Sequence, residues 1–185
     1  MPKCKVCKKS YTKTRPMQSV CSPDCAFNFA FVLKLKKEKA EDRVKSEAMK
    51  TKPELTKIAQ QAFNAYIRER DYGLNCICCD KPIAWGSGAT GGVCDAGHYL
   101  SVGARVNLRF NEDNVHCQNK QCNLYKSGNA VNYRTGLIKK IGLGRVEALE
   151  SDHALKHYSK DDLREIAATY RAKTRQLEKA RNANT

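Results

Sequence analysis

The chain has no run of about 18 apolar residues and no apolar leader segment. The first absence argues against a membrane-spanning helix, and the second argues against a secreted protein. The ten cysteines are therefore best explained in a reducing compartment, where clustered thiols bind metal ions more often than they form disulfides. We expect a cytoplasmic metal-binding protein without a membrane partner.

Acidic residues are scarce relative to basic ones. The chain has 19 Asp and Glu against 34 Lys and Arg, a formal net charge of +15, and residues 1–57 alone hold 15 bases and 6 acids. Two four-thiolate zinc sites would lower the charge by about 2 each and still leave a strongly basic protein. The excess predicts a nucleic-acid partner, because each phosphate that Lys or Arg neutralises releases counterions. The alternative is that the charge only solvates a helix.

The first 25 residues are poor in large apolar side chains and hold four cysteines in two close pairs. The pairs are Cys4-x2-Cys7 and Cys21-x3-Cys25, with 13 residues between them. Two close pairs on separate turns are what a tetrahedral zinc ion needs. Since this segment cannot form a core of its own, we expect zinc to supply its folding free energy.

Helices are predicted on both sides of the central segment. Ala26–Lys50 is rich in Lys, Glu and Ala and has no Gly or Pro, which is typical of a solvated helix. Such a helix could either follow a DNA backbone or act as a spacer. The apolar stripe of the last helix is expected to be core or a dimer contact. The other helical segments are predicted near Ile58–Tyr72, Val131–Ile141 and Val146–Leu149, and from a capping box at Ser159-x-x-Asp162 onward.

The central segment predicts a small ββα unit. Residues 82–92 predict a loop, the alternating apolar stretches from Val93 to Phe110 predict a β-hairpin, and Glu112–Tyr125 begins like a helix. The predicted fold class is therefore α+β, mostly helical, with a small zinc-bound ββα core. The predicted divisions are an N-terminal Cys4 zinc module (1–27), a basic linker helix (28–56), the ββα domain with its leading helix (57–145) and a C-terminal helical region (146–185).

The ββα segment holds the residue types that phosphodiester hydrolysis requires, namely a base and ligands for a cation. His98 is the candidate base, because an imidazole with an ordinary pKa of about 6.5 is mostly neutral at working pH. Asn114 is expected to brace the hairpin loop and orient that ring. Asn123 can offer a carbonyl oxygen to Mg²⁺. Asp95 is a candidate anionic partner of the same cation, but it reaches the face of His98 only through a bulge or bend.

Several motifs in the chain resemble the NinG family of lambdoid phages, also called Rap. The resemblance covers nearly the whole chain and implies a recombination endonuclease of the HNH or His-Me finger class, in a variant whose three motif residues would be His98, Asn114 and Asn123. The motifs are Asp95-Ala-Gly-His-Tyr99, Leu108-Arg-Phe-Asn-Glu112, Asn114-Val-His116, Cys122-Asn-x3-Ser127-Gly-Asn129, Cys21-Ser-Pro-Asp-Cys25, Gln61-Ala-Phe-Asn-Ala-Tyr-Ile-Arg-Glu-Arg70 and Ile141-Gly-x4-Val146-Glu.

The resemblance also implies cofactors, substrates and partners. Mg²⁺, or Mn²⁺ in its place, would serve in-line attack by water, which leaves 5′-phosphate and 3′-hydroxyl ends. The implied substrates are D-loops and Holliday junctions in the host cytoplasm. Because a junction needs nicks in two opposed strands, a homodimer is expected, and phage recombination proteins are expected partners. The candidate DNA contacts are Lys126, Arg105, Arg109, Lys34, Lys36 and Lys37.

The second cysteine cluster departs from the family pattern. The family shows Gln-Cys-x-x-Cys-Asn, whereas this chain has Cys117-Gln-Asn-Lys-Gln-Cys122, so the first cysteine of the pair stands two residues earlier. A second structural zinc ion is expected if a fourth ligand reaches it. His116 could instead contact phosphate or cap the helix. The expected ligands are Cys76, Cys79, Cys122 and, as the fourth, Cys117, with Cys94 or His116 as alternatives.

Two other functions are compatible with parts of the sequence. A non-catalytic zinc protein that binds nucleic acid as an adaptor in phage recombination would explain the charge and the cysteines. It would not explain why His98, Asn114 and Asn123 stand at these spacings around the cysteine pairs. A thiol oxidoreductase is the third alternative, and it is disfavoured because the Cys-x-x-Cys pair does not lie in a βαβ pattern.

Overall fold

The structure is a computed structural model that describes residues 1–83, 85, 94–125 and 128–183. Helices dominate these residues and one two-stranded sheet lies among them, so the fold is α+β and mostly helical, as predicted. Lys126 and most of the loop predicted at 82–92 lie outside the described residues. In chain order the elements are α1 (Pro23–Met49), α2 (Lys52–Arg70), β1 (Asp95–His98), β2 (Val115–Gln118), α3 (Ala130–Ile141), α4 (Leu143–Ser151) and α5 (Lys160–Ala183).

The chain divides into two compact units, Met1–Lys50 and Thr51–Thr185. The first holds the four N-terminal cysteines and α1, and the second holds the sheet with α2 to α5. The predicted segments 57–145 and 146–185 both fall within the second unit, because α5 packs along α2. In the described part of the chain, no helix is both long enough and apolar enough to span a bilayer.

In the first unit, α1 is a solvated helix, as its composition predicted. Ser22 caps its first turn by accepting a hydrogen bond from the N–H of Cys25 at 3.2 Å. All residues of α1 are described, and none of its side chains is buried. Ion pairs one turn apart lie on its surface, for example Lys34 with Glu38 at 3.9 Å.

In the second unit, α2 and α5 pack against each other through an apolar cluster. α2 begins at a capping box of Thr51 and Glu54, and α5 begins at the predicted capping box of Ser159 and Asp162. The stripe of α5 is therefore core rather than a dimer contact. The buried cluster comprises Leu55, Ala59, Ala62, Phe63, Tyr66 and Ile67 of α2, Leu163, Ala167 and Tyr170 of α5, and Val115 of β2.

The sheet is an antiparallel pair of four-residue strands, and its second strand does not lie where the sequence predicted it. The register runs without interruption from Asp95 opposite Gln118 to His98 opposite Val115. Residues 99–110, predicted to complete the hairpin, belong instead to a loop that runs to residue 114 and contains a 3₁₀ turn at Val106–Leu108. Residues 112–125, predicted as a helix, contain β2 and a single π-helical turn, and the next α-helix starts only at Ala130.

The side chain of Asn114 explains how so long a loop is held. Its Nδ2 donates to the carbonyl oxygens of Leu100 at 3.0 Å and Leu108 at 3.2 Å, and its Oδ1 accepts from the N–H of Leu100 at 2.9 Å. The residue is fully buried. One amide thus satisfies three backbone groups of the loop, which would otherwise need a strand partner.

A buried carboxylate joins α2 to the sheet and to α3. Asp71, which follows α2, is only 2% exposed. It accepts hydrogen bonds from the N–H of Cys117 at 3.0 Å, from Nζ of Lys140 at 2.8 Å and from the guanidinium of Arg70 at 2.9 Å. Burial alone would raise the pKa of Asp71, but the hydrogen bonds and positive charge of Arg70 and the hydrogen bond from Lys140 hold it well below the usual 3.8. The carboxylate is therefore ionised and fixed in place.

Two glycines mark contacts too close for a side chain. A Cβ on Gly136 of α3 would lie 1.8 Å from the carbonyl oxygen of Ile77, and a Cβ on Gly97 of β1 would lie 1.6 Å from Oε1 of Gln118. The first contact shows that α3 lies directly against the turn that carries Cys76 and Cys79. The second shows that the side chain of Gln118 covers the backbone of β1.

We expect Gly136→Ala to lower the free energy of unfolding by about 1–3 kcal/mol, because the added methyl group must displace α3 from a backbone oxygen that cannot rotate away. Gly144→Ala is the matched control, since a Cβ there meets nothing within 4 Å. Its effect should stay within about 0.5 kcal/mol. Urea unfolding followed by circular dichroism measures both. Equal stability of the two variants would contradict the close contact between α3 and Ile77.

Candidate active site and metal centres

The two Cys-x-x-Cys turns, at Cys4–Cys7 and Cys76–Cys79, have the same backbone geometry. In each, the N–H of the first cysteine bonds the carbonyl five residues later, at 2.9 Å and 3.0 Å. The N–H four residues after each first cysteine bonds back to its carbonyl, at 3.0 Å from Lys8 and at 2.9 Å from Asp80. These closing residues both have a positive φ, 62° and 53°. The chain therefore builds one kind of metal-binding turn twice.

The first turn belongs to a complete four-thiol group. The sulfurs of Cys4, Cys7, Cys21 and Cys25 all lie within 4.8 Å of one another, with Cys7–Cys21 at 3.5 Å and Cys21–Cys25 at 3.7 Å. A zinc ion with four Zn–S bonds of about 2.3 Å requires sulfur–sulfur separations of about 3.8 Å. The group thus fits tetrahedral zinc, and it can hold a metal ion as the sequence predicted.

The second turn belongs to a three-thiol group. The sulfurs of Cys76, Cys79 and Cys122 lie within 4.8 Å of one another. The pKa of Cys76 is lowered to about 4, mainly by a hydrogen bond from the Cys78 thiol. Burial acts in the opposite direction, and the backbone N–H groups of Asn119, Cys78 and Cys79 lower the pKa further. A thiol stabilised as a thiolate is ready to bind a metal ion.

None of the three expected fourth ligands lies in this group of described residues. Cys117 is buried, and its thiol hydrogen-bonds that of Cys94, which raises its pKa far above the usual 9.0. The expectation that Cys117 completes the site is therefore wrong for this structure. The cause is the pleat of β2, which directs Cys117 to the same side as Val115, towards α2, where its sulfur lies 4.0 Å from the carbonyl of Ile67.

His116 is occupied by the network around Asp71. Its Nε2 lies 3.1 Å from the carbonyl oxygen of Asp113, and its Nδ1 lies 2.8 Å from Nη2 of Arg70. A carbonyl only accepts and a guanidinium only donates, so the ring is neutral with its proton on Nε2. Burial lowers the pKa of His116 below its usual 6.5, which agrees with that state. Both nitrogens are used, so in this arrangement His116 neither binds zinc nor contacts phosphate.

His98 stands at the end of β1 with one ring nitrogen committed. Its Nε2 lies 3.0 Å from the carbonyl oxygen of Arg109. Since that oxygen can only accept, Nε2 carries the proton of the neutral ring and Nδ1 carries the lone pair. Burial lowers the pKa of His98 below its usual 6.5, and the positive charge of Arg109 lowers it further. The hydrogen bond to the carbonyl of Arg109 raises it, but by less than burial lowers it. The ring is therefore a neutral proton acceptor.

Asn123 and His98 line the same open cavity of about 360 Å³, together with residues of the β1 end and the loop that follows it. Nδ2 of Asn123 donates to Oδ2 of Asp95 at 3.1 Å. With its nitrogen committed to Asp95, the amide of Asn123 has its oxygen left for a cation. The site thus brings together two of the predicted catalytic residues, and Asn114 braces the loop that forms part of its wall.

Asp95 has a different place from the one proposed for it. The register of β1 contains no bulge, so Asp95 points to the opposite face of the strand from His98, and it is not among the residues that line the cavity. It binds Asn123 and lies 3.5 Å from Nζ of Lys120. Asp95 is therefore placed to orient Asn123. Sequence reasoning did not identify Lys120 as a partner of Asp95.

The candidate DNA contacts that are described lie in both units. Lys34, Lys36 and Lys37 are exposed along α1. Arg109, whose carbonyl binds His98, sends Nη1 to Oε1 of Gln60 at 3.2 Å on α2. Arg105 lies on the loop between the strands, with Nη2 3.3 Å from Nε2 of His153. Arg109 does not line the cavity, but its backbone carbonyl binds His98, which does.

Sequence reasoning missed Asn119. Its backbone N–H donates to Sγ of Cys76 at 3.3 Å, and its Nδ2 lies 3.8 Å from Sγ of Cys79. The available signal was its spacing, because two residues separate Asn119 from Cys122, as two separate Cys76 from Cys79.

Comparison with known proteins identifies relatives over most of the chain. The profile of the family described as Bacteriophage Lambda NinG protein matches residues 1–181. The protein ninG of Salmonella phage P22 and that of Escherichia phage lambda are each 38% identical over 180 residues, which is 88% of this chain and 85% of the relative. The protein ninG of Escherichia phage 933W is 36% identical over 198 residues, 97% of this chain and 95% of the relative. No solved structure matches the chain significantly.

The two thiol groups predict about two zinc ions per chain after purification under reducing conditions. Cys25→Ser should remove one ion and unfold the first unit, because zinc supplies the folding free energy there. Zinc released by acid and measured by mass spectrometry gives the count. Cys94→Ala is the control, since Cys94 lies in neither group, and loss of an ion from that variant would contradict the assignment of ligands.

Proposed function

The chain belongs to the family described as Bacteriophage Lambda NinG protein, and from that premise we propose that it is a structure-specific DNA endonuclease. The proposed reaction is metal-dependent hydrolysis of phosphodiester bonds in branched recombination intermediates such as D-loops and Holliday junctions. One observation carries the proposal: a neutral histidine and an amide oxygen donor, His98 and Asn123, line one open cavity on a strongly basic chain.

His98 is proposed as the general base. Its Nε2 proton is held by the carbonyl of Arg109, so Nδ1 is the nitrogen that can take a proton from water. A fixed backbone acceptor both selects the tautomer and prevents the ring from turning. This is the arrangement that general-base catalysis needs, in which the acceptor nitrogen is aimed before the substrate arrives.

Asn123 is proposed to hold the catalytic cation, Mg²⁺ or Mn²⁺, through Oδ1. Asp95 fixes the amide by accepting its Nδ2 hydrogen at 3.1 Å and adds a negative charge behind it. When bound, the cation would offset the charge that develops on the phosphate and on the leaving oxygen. A single protein oxygen is enough for such a role, since Mg²⁺ commonly keeps several waters and takes its remaining ligands from substrate phosphate.

Basic residues of each unit are proposed to bind the DNA backbone. In the second unit, the charge of Arg109 is near enough to lower the pKa of His98, and its guanidinium bonds Gln60, from where it is proposed to contact phosphates that flank the scissile bond. In the first unit, the exposed lysines of α1 form a positive surface, which counterion release makes attractive to any DNA backbone. Cutting both strands of a junction requires two active sites, so we further propose a homodimer as the active form.

His98→Ala should reduce the rate of Mg²⁺-dependent cleavage of a four-way junction by about 100- to 10,000-fold, the usual contribution of a general base. DNA binding measured by gel shift in EDTA should remain near that of the wild type. His157→Ala is the matched control, because it removes an exposed histidine of the same unit that does not line the cavity.

The adaptor function predicts that the same assay detects DNA binding but no cleavage. A wild-type protein that binds junctions and D-loops in preference to linear duplex, but nicks none of them with Mg²⁺ or Mn²⁺, is a nucleic-acid-binding adaptor. In that case the cavity would have no catalytic role, and His98→Ala would change neither binding nor the absence of cleavage.

The pH dependence of cleavage should follow the lowered pKa of His98. The base acts only when neutral, so the rate falls as pH drops through its pKa, and burial places that pKa below the usual 6.5. Single-turnover rates at saturating Mg²⁺ should therefore still be high at pH 6.5 and decline only in more acid solution. Circular dichroism at each pH separates this loss from acid unfolding. An acid limb centred above pH 6.5 would argue against His98 as the base.

A further inference from the structure

The second metal centre lacks a fourth thiol among the described residues, and the geometry points to Asn119 as its fourth ligand through the side-chain oxygen. We propose that this centre is a three-thiolate, one-amide site. The inference concerns the metal centre alone and does not depend on whether the chain cleaves DNA.

The first centre provides a template for the second. Around Cys4, the backbone N–H groups that face the sulfur belong to the residues two and three positions later, Val6 and Cys7, and to Cys21, which is itself a metal-binding candidate. Around Cys76, they belong to the residues at the same two positions and to Asn119, whose N–H donates to the sulfur at 3.3 Å. Asn119 therefore occupies the place in the second centre that Cys21 has in the first.

Distances agree with this correspondence. Nδ2 of Asn119 lies 3.8 Å from Sγ of Cys79. In a tetrahedral zinc site with Zn–S of about 2.3 Å and Zn–O of about 2.1 Å, the sulfur and oxygen ligands lie about 3.6 Å apart. Rotating the amide of Asn119 by about 180° around its Cβ–Cγ bond exchanges Nδ2 and Oδ1. This rotation alone brings Oδ1 to the position of Nδ2. The side chain already has the reach and direction of a ligand.

The other nearby amide is committed elsewhere. Nδ2 of Asn129 lies 4.0 Å from Sγ of Cys122, but its Oδ1 accepts a hydrogen bond from Nδ2 of Asn132 at 2.9 Å. Rotating the amide would break that bond. Asn129 therefore serves as a donor to the thiolate, whereas Asn119 bonds two of the three cysteines and stands at the spacing of a ligand pair with Cys122.

A neutral oxygen binds zinc less strongly than a thiolate, which gives the two centres different properties. The first centre, with four thiolates, should hold its ion tightly. The second, with three thiolates and a half-buried amide, should release its ion first when a chelator competes. The chain thus carries one firmly held and one exchangeable ion.

The test is zinc release from the reduced full-length protein to a chromogenic chelator, with the variants Asn119→Cys and Asn119→Ala. The wild type should lose one ion in a fast phase and the other in a slow phase. Asn119→Cys should slow the fast phase by at least about tenfold, and Asn119→Ala should accelerate it by a similar factor. Cobalt substitution gives a second readout, since the sulfur-to-metal charge-transfer absorption should rise in Asn119→Cys as a thiolate is added.

One control variant makes the outcome decisive. Cys117→Ala removes the thiol that the sequence offered as the fourth ligand and that lies outside the three-thiol group. It should leave the release phases and the cobalt spectrum as in the wild type. Unchanged behaviour of both Asn119 variants would overturn the proposal, and so would loss of the fast-released ion from Cys117→Ala, which would identify Cys117 as the ligand instead.

Discussion

The buried carboxylate of Asp71 is the constraint on which the second unit depends. It collects hydrogen bonds from the end of α2 through Arg70, from the backbone of β2 at Cys117 and from α3 through Lys140. A charge that is 2% exposed is tolerated only when such partners surround it. Because the carboxylate fixes β2 and the register of β2 fixes β1, the place of His98 follows from it in two steps.

Thiols replace aliphatic side chains in much of the region around the sheet. A sheet of two four-residue strands offers little apolar surface, and five of the eleven buried residues that pack beside it are cysteines. Such a core is too small to fix the ring of His98 by packing alone. The hydrogen bonds of Asn114 add rigidity at one end of the strand pair, and the thiols of Cys76, Cys79 and Cys122, which could hold a metal ion, are grouped at the other.

Local signals predicted the parts of this fold that local interactions determine. The helices, the capping box at Ser159, the stripe of α2 and the first cysteine group were all accessible from spacing. β2 was not, because all four of its residues are buried and it shows no alternation. The bond from His98 to the backbone of Arg109 could not be foreseen either, since a main-chain acceptor leaves no mark on the sequence. Cys117 was wrongly predicted as the fourth metal ligand because its spacing from Cys122 suits a ligand pair, whereas the pleat of β2 directs its sulfur towards Cys94.

Gly97, immediately before the candidate base, carries a consequence for how this protein can evolve. The amide of Gln118 fills the volume that any larger residue would need, and the carbonyl of Gly97 accepts the hydroxyl of Tyr133 at 2.9 Å. Single substitutions at this neighbour of the candidate base are therefore excluded by the packing. Related chains should instead differ in the exposed tip of the loop after β1, at Ser101–Ala104, which lies between the two backbone carbonyls that Asn114 holds.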